Sequence, residues 1–242
     1  MRNLLFVHYL IVPIYKVERF VRQKFLYFKA KQLKMKTFGR ILMVVLAIGV
    51  GGYALQFLDF QIKGILNGKG ELLKNTLYLC GFYVHVTGGG IALIVGSFQF
   101  FPKLRNRNLF LHRMLGRIYV IACALGGIAG LGIAFFADGG YITKVGFLLL
   151  AIMWLYTTSQ AYLTIKQKKV AAHKEWMIRS YTMTFAAVLL RLQLPIYLGL
   201  MGMEFPDAYR IVSWSSWLPS LILIEWLIQR RANTSTQFFP SF

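Results

Sequence analysis

Acidic residues are scarce in this chain. Eight aspartates and glutamates stand against 28 lysines and arginines in 242 residues, and charged side chains make up only 15% of the total. A soluble domain carries roughly 25% charged residues, so an ordinary water-soluble fold is excluded. With so few carboxylates, almost all near the ends of apolar runs, general acid–base pairs are short of partners. The sequence also lacks GxSxG, HExxH and Walker patterns, and Ser97 and Ser180 have no His–carboxylate partner on a shared face. Hydrolase readings therefore find little support. Cysteine is nearly absent. Cys80 and Cys123 fall in different apolar runs with no CxxC spacing, so neither a disulfide framework nor a zinc knuckle is indicated. Both read as small packing residues.

What the chain has in abundance is apolar surface, at 57% hydrophobic residues. Six apolar stretches lie at residues 40–58, 78–101, 114–136, 145–165, 177–200 and 209–229. A membrane span needs about 20 such residues. The expected fold is an all-α integral membrane protein, a six-transmembrane-helix bundle with short connections. Residues 1–36 form a basic, aromatic arm, 37–232 the transmembrane domain and 233–242 a short tail.

The net charge of +20 points to lipid rather than nucleic acid because of where it lies. Basic residues crowd the arm, the second connection (Lys103, Arg105, Arg107, Arg113, Arg117), the fourth (Lys166, Lys168, Lys169, Lys174, Arg179) and the tail (Arg230, Arg231). The other three connections set Lys63, Lys69, Lys74, Lys144 and Arg210 against Asp59, Glu71, Asp138, Glu204 and Asp207. This alternation is the positive-inside pattern and predicts both termini cytoplasmic. Anionic headgroups are the expected partner, and no nucleic acid is needed. The bundle thus has a basic end and a charge-balanced end.

Within the arm, residues 4–15 are too short to span and are interrupted by Pro13. The basic–aromatic stretch that follows suits a helix lying along the headgroups. Met35-Lys36-Thr37 before an apolar run also resembles a normal start, which would make residues 1–34 an upstream extension. His8 receives no functional role.

Helical periodicity places the polar residues on faces. His85 shares a stripe with Gly88, Gly89, Ala92, Gly96 and Gln99. His112 shares one with Gly116, Tyr119, Cys123, Gly126 and Gly130. Arg191 shares one with Thr184, Ser180, Met177 and His173, about five turns away. Gly126 to Gly130 has the GxxxG spacing that lets membrane helices approach closely. His112 and His173 fall at the basic end with Arg113, Arg117 and Arg179 beside them and Glu225 one turn in. His85 and Arg191 fall in the other half as a second polar pocket. Gln160, Thr157 and Thr158 add hydrogen-bonding capacity in span four. A guanidinium at the bilayer centre costs from about 2.5 to more than 10 kcal/mol, so Arg191 is the residue least explained by packing alone.

The segments HRMLGRIY and HKEWMIRSY each place a histidine, an arginine and a tyrosine at the start of a span, a hint of a duplicated two-helix hairpin. HRMLGRIY, with HKEWMIRSYTMTFAAVLLRL, resembles the bacterial multi-span membrane family catalogued as domain of unknown function 2306. The resemblance covers roughly spans two to five. It is carried by His112, Arg113, Gly116, Arg117, Tyr119, His173, Trp176, Met177, Arg179, Ser180 and Arg191, with Lys174 standing where an arginine is expected. It implies an integral membrane fold of this layout in the bacterial inner (cytoplasmic) membrane, and it transfers no catalytic role.

Three readings follow from the residues. The first is a redox-type site, a b-type haem or a quinone in the bundle of spans two, three and five. His112, His173, Arg113, Arg117, Arg179 and Tyr119 would be the binding residues, with glycine stripes admitting a flat macrocycle. A quinone near His85 and Arg191, or near Gln160 and His173, needs fewer residues. The second is binding or transport of a small anionic or amphipathic molecule held by Arg191, with His85 sensing a proton. The third is a non-catalytic accessory or assembly subunit of a larger membrane complex. A metal held by His112, His173 and Glu225 is a further option.

Overall fold

The computed structural model describes residues 37–54, 56–59 and 68–238, together with Arg22, Lys24, Met35 and Leu66. Most of the arm expected to lie on the membrane surface falls outside the described residues. The chain divides into two compact units, Met1–Met43 and Val44–Phe242. The second holds everything discussed below except the first turns of the first span, residues 37–43.

Every regular element among the described residues is helical, and six spans are long and apolar enough to cross a membrane. They are α1 (Thr37–Ala54), α2 (Thr76–Phe98), α4 (Leu109–Ala134), α5 (Tyr141–Lys166), α6 (Val170–Pro195, continued as a π-turn over Ile196–Leu200), and the pair α7 (Phe205–Ser215) and α8 (Leu218–Phe238). A short α3 (Pro102–Arg107) lies in the second connection, with its proline in the first turn, where a missing N–H costs nothing. The spans start earlier than hydropathy alone places them, and at two of them a polar cap sets the start. Asn75 accepts from the N–H groups of Leu77 and Tyr78 to start α2, and Asn108 accepts from that of Leu111 to start α4. Span six, read as one run from sequence, is interrupted at Ser216–Trp217.

In the bundle, α2 packs on α4, α4 on α5, α5 on α6, and α6 back on α2. This is a four-helix ring with α4 diagonally across from α6. The closest approach is between α2 and α4. A Cβ on Gly88 would stand 2.9 Å from the Ala122 carbonyl oxygen and 3.0 Å from the Gly126 nitrogen. Backbone meets backbone here, so these glycines are filled by the partner helix.

At the charge-balanced end, the Lys69 ammonium donates to the Asp138 carboxylate and the Phe136 carbonyl, each at 2.8 Å. This pins the first connection to the third. Phe57, Leu66, Tyr78 and Phe82 form a buried apolar cluster beneath the first connection. The turn into α5 uses Gly139 and Gly140 at φ +91° and +82°, a region L side chains rarely adopt.

Gly88→Val would force α2 and α4 apart at a backbone contact that cannot shift cheaply. Overpacking costs about 1–3 kcal/mol. The purified variant is expected to unfold at a clearly lower temperature in detergent, and an unchanged midpoint would contradict the close approach.

Candidate functional site

The centre of the ring is a hydroxyl circuit. The Trp154 indole N–H donates to Thr184 Oγ1 at 2.9 Å, which lies 2.9 Å from the Tyr119 hydroxyl. Tyr119 sits 2.7 Å from Ser180 Oγ, which is 2.7 Å from Thr158 Oγ1. Thr158 donates to the Trp154 carbonyl at 2.7 Å. The Thr184 hydroxyl also has the Ser180 carbonyl as an acceptor at 3.1 Å, and the series of bonds starts and ends on the same tryptophan. Cys123 lies against Tyr119, Thr158, Thr184 and Trp154. Gly96 lets the Tyr119 and Tyr181 rings in, since a Cβ there would stand 2.7 Å from both. The Tyr181 hydroxyl donates to the Leu93 carbonyl at 3.0 Å. Tyr119, expected among the ligand-binding residues, is fully buried inside this circuit and takes up its own hydroxyl there.

The basic end sits about two turns, roughly 10 Å, from this layer along α4 and α6. His112 on α4 and His173 on α6 stand within electrostatic reach of each other, with Arg105 and Arg113 also near His112. His173 Nδ1 is 2.8 Å from the Ala161 carbonyl of α5, which fixes the ring and leaves Nε2 for another partner. His112 Nδ1 and Gln99 Nε2 are both buried and make no hydrogen bond. Gln99, at the end of α2, leans over Gly116, with its amide oxygen 3.7 Å from where a Cβ would stand. Gly116 is one turn from His112 on the same face, so the two orphaned nitrogens share one locality.

Not every expected residue joins this cluster. Arg117 is exposed. Arg179 is committed elsewhere: its Nε and Nη2 both donate to the Glu225 carboxylate, the latter at 2.9 Å, and its charge lies 4.5 Å from the Trp176 ring centre. Glu225, weighed as a third metal ligand with His112 and His173, is thus held by an arginine. Among the described residues no group of three His, Cys, Asp or Glu side chains is placed to hold a metal ion.

Toward the charge-balanced end, His85 lies in the α2–α4 seam. Its Nδ1 is 2.8 Å from the Gly126 carbonyl, and its ring meets Trp154 edge-on at 6.4 Å. A Cβ on Gly130 would stand 2.9 Å from that nitrogen, so the glycine leaves room for the imidazole. Arg191 is within electrostatic reach of His85, Tyr53 and Tyr209, side chains from α2, α1 and α7. Its Nη1 donates to the Ala187 carbonyl one turn back, at 3.0 Å, and its charge lies 5.8 Å from the Tyr53 ring centre. Pro195 has no N–H to give the Arg191 carbonyl, and a π-turn follows. Ser215, at the break in span six, donates to Gln193 at 2.7 Å, so the two irregular spans are tied together.

The sequence profile of the family described as "Predicted membrane protein (DUF2306)" matches residues 82–228. The chain belongs to this family. No curated protein and no solved structure matches it. The DUF2306 match takes in His85, Gln99, His112, His173, Arg191, Tyr209 and Glu225. Tyr53 and the rest of α1 lie before it.

Three contributors were not singled out from sequence. Tyr53 and Tyr209 are ordinary interfacial aromatics until the fold sets them near Arg191. Pro195 carried a readable signal, a proline four residues after a buried arginine in the same span.

Removing the Tyr119 hydroxyl takes one partner from each of Ser180 and Thr184, which keep Thr158 and Trp154. Tyr119→Phe is expected to cost about 1–2 kcal/mol, read as a lower unfolding midpoint in detergent. Arg117→Gln should leave the midpoint unchanged.

Proposed function

We propose that this multi-pass membrane protein binds the head of a lipid-soluble quinone at the basic end of its bundle. The reading is carried by one observation: the buried, unpartnered nitrogens of Gln99 and His112. A buried donor or acceptor with no partner costs about 1–3 kcal/mol, and a ligand that supplies one removes the cost. A quinone carbonyl accepts from the Gln99 amide. His112 Nδ1 accepts from the hydroxyl of the reduced form, or donates to the carbonyl in the other tautomer. Arg105 and Arg113 supply positive potential where a reduced head carries negative charge before it is protonated. The alternating basic connections support a bacterial cytoplasmic membrane with both termini on the cytoplasmic side, which puts this site near the cytoplasmic face.

A second reading, b-type haem, is favoured by a different detail. His112 and His173 come from diagonally opposed helices, and His173 is oriented through Nδ1 by a carbonyl, as iron-ligating imidazoles are.

Purified protein separates the two. The expected preparation is colourless, with extractable quinone near one per chain. Titration with ubiquinone-1 should be about tenfold weaker in Gln99→Leu and in His112→Leu, the equivalent of about 1.4 kcal/mol. A Soret band lost in His112→Ala and His173→Ala would move the assignment to haem. Neither a pigment nor a quinone response overturns both.

A further inference from the structure

Arg191 is a cation with no answering charge among the described residues. Among the described residues it makes no ion pair, and the ionisable groups in reach are Tyr53, Tyr209 and His85, none of them acidic. Of the several N–H donors on a guanidinium, one is used, on a carbonyl of its own helix. The other intramembrane cation here, Arg179, holds a carboxylate through two donors. Arg191 therefore lacks what its chemical twin has.

The missing partner can be described. One uncompensated positive charge calls for a monoanion, and the planar fork of donors fits a carboxylate edge-on. Arg191 lies nine residues before the end of its span at Leu200, about 14 Å along the axis. That depth is below the headgroup layer, so a lipid phosphodiester would have to leave its interface to reach it. A free phosphate would bring a second negative charge into hydrocarbon. A carboxylate on an apolar chain can enter. Tyr53, the ring beside the guanidinium, is 50% exposed on the protein surface, so this flank opens toward lipid. His85 Nε2 has no partner among the described residues, and its Nδ1 is already placed by the Gly126 carbonyl. The backbone is also irregular at this point, with a proline and a π-turn just beyond, as at sites where membrane helices bind ions.

We propose that Arg191, flanked by Tyr53, His85 and Tyr209, binds the carboxylate of an apolar-tailed monocarboxylate that enters from the lipid phase. This site is separate from the one at the basic end.

Equilibrium binding of radiolabelled octanoate to the full-length protein in detergent tests it. Saturable binding near one per chain is expected, at least tenfold weaker in Arg191→Gln and intermediate in Arg191→Lys. Octanol, with the tail but no charge, should not compete. Equal binding by wild type and Arg191→Gln overturns the proposal, as does competition by octanol equal to that of octanoate. Displacement by inorganic phosphate would reassign the site to a free anion. Displacement by phosphatidylglycerol vesicles, with phosphate silent, would reassign it to a lipid headgroup. Either result ends the carboxylate reading. If Arg191→Gln does not elute as a single folded species, the wild-type competition series decides alone.

Discussion

Hydrocarbon offers a polar side chain no water to fall back on, so the protein itself must answer every buried donor and acceptor. That constraint organises this bundle. The Trp154 indole, four hydroxyls and a carbonyl answer one another in a closed circuit at its centre. Lys69 is answered by Asp138 and Phe136, and Arg179 by Glu225. Once these are set aside, the unanswered groups among the described residues are few. Gln99 and His112 stand at one end and Arg191 toward the other, with the hydroxyls of Thr143 and Ser216 also unpartnered. The two proposals above are built on polar groups that the packing among the described residues does not use.

The glycines make that arrangement compact. Gly88 and Gly126 bring two backbones together, Gly96 admits two tyrosine rings, and Gly130 admits an imidazole. The same residue type does three different things along one seam. A β-carbon at Gly88, Gly96 or Gly130 would stand under 3.0 Å from a neighbour, and one at Gly126 would be tight at 3.2 Å.

Much of this was legible in the chain. Long apolar runs identify spans because hydropathy over some 20 residues is a strong, local signal. Arg191 stood out because its cost in lipid does not depend on its neighbours. Helical period put His112 with Tyr119, and His173 with Ser180, on single faces. Partners across helices were not legible. Arg179 was read as serving a ligand, and only the fold brings Glu225, 46 residues away, against it. Helical period shows which face of a span is smooth but not what lies on it, so the backbone contact at Gly88 was not legible. The break in span six was hidden because Ile211, Val212, Leu218 and the run Leu221–Ile224 keep the hydropathy window around Ser213, Ser215 and Ser216 high.

The shape of the hydroxyl circuit has a consequence for how the two ends relate. A relay that carries protons across a membrane needs an entry on one side and an exit on the other. Here the first donor is the Trp154 indole N–H, which does not give up its proton at physiological pH, and the last acceptor is the Trp154 backbone carbonyl. The protons are ordered around one residue rather than along the bundle axis. His85 meets that tryptophan through its ring edge and not through a hydrogen bond, so the circuit does not extend to Arg191. The middle layer ties α4, α5 and α6 to one another through side-chain hydrogen bonds, and none of these bonds reaches the polar groups at either end.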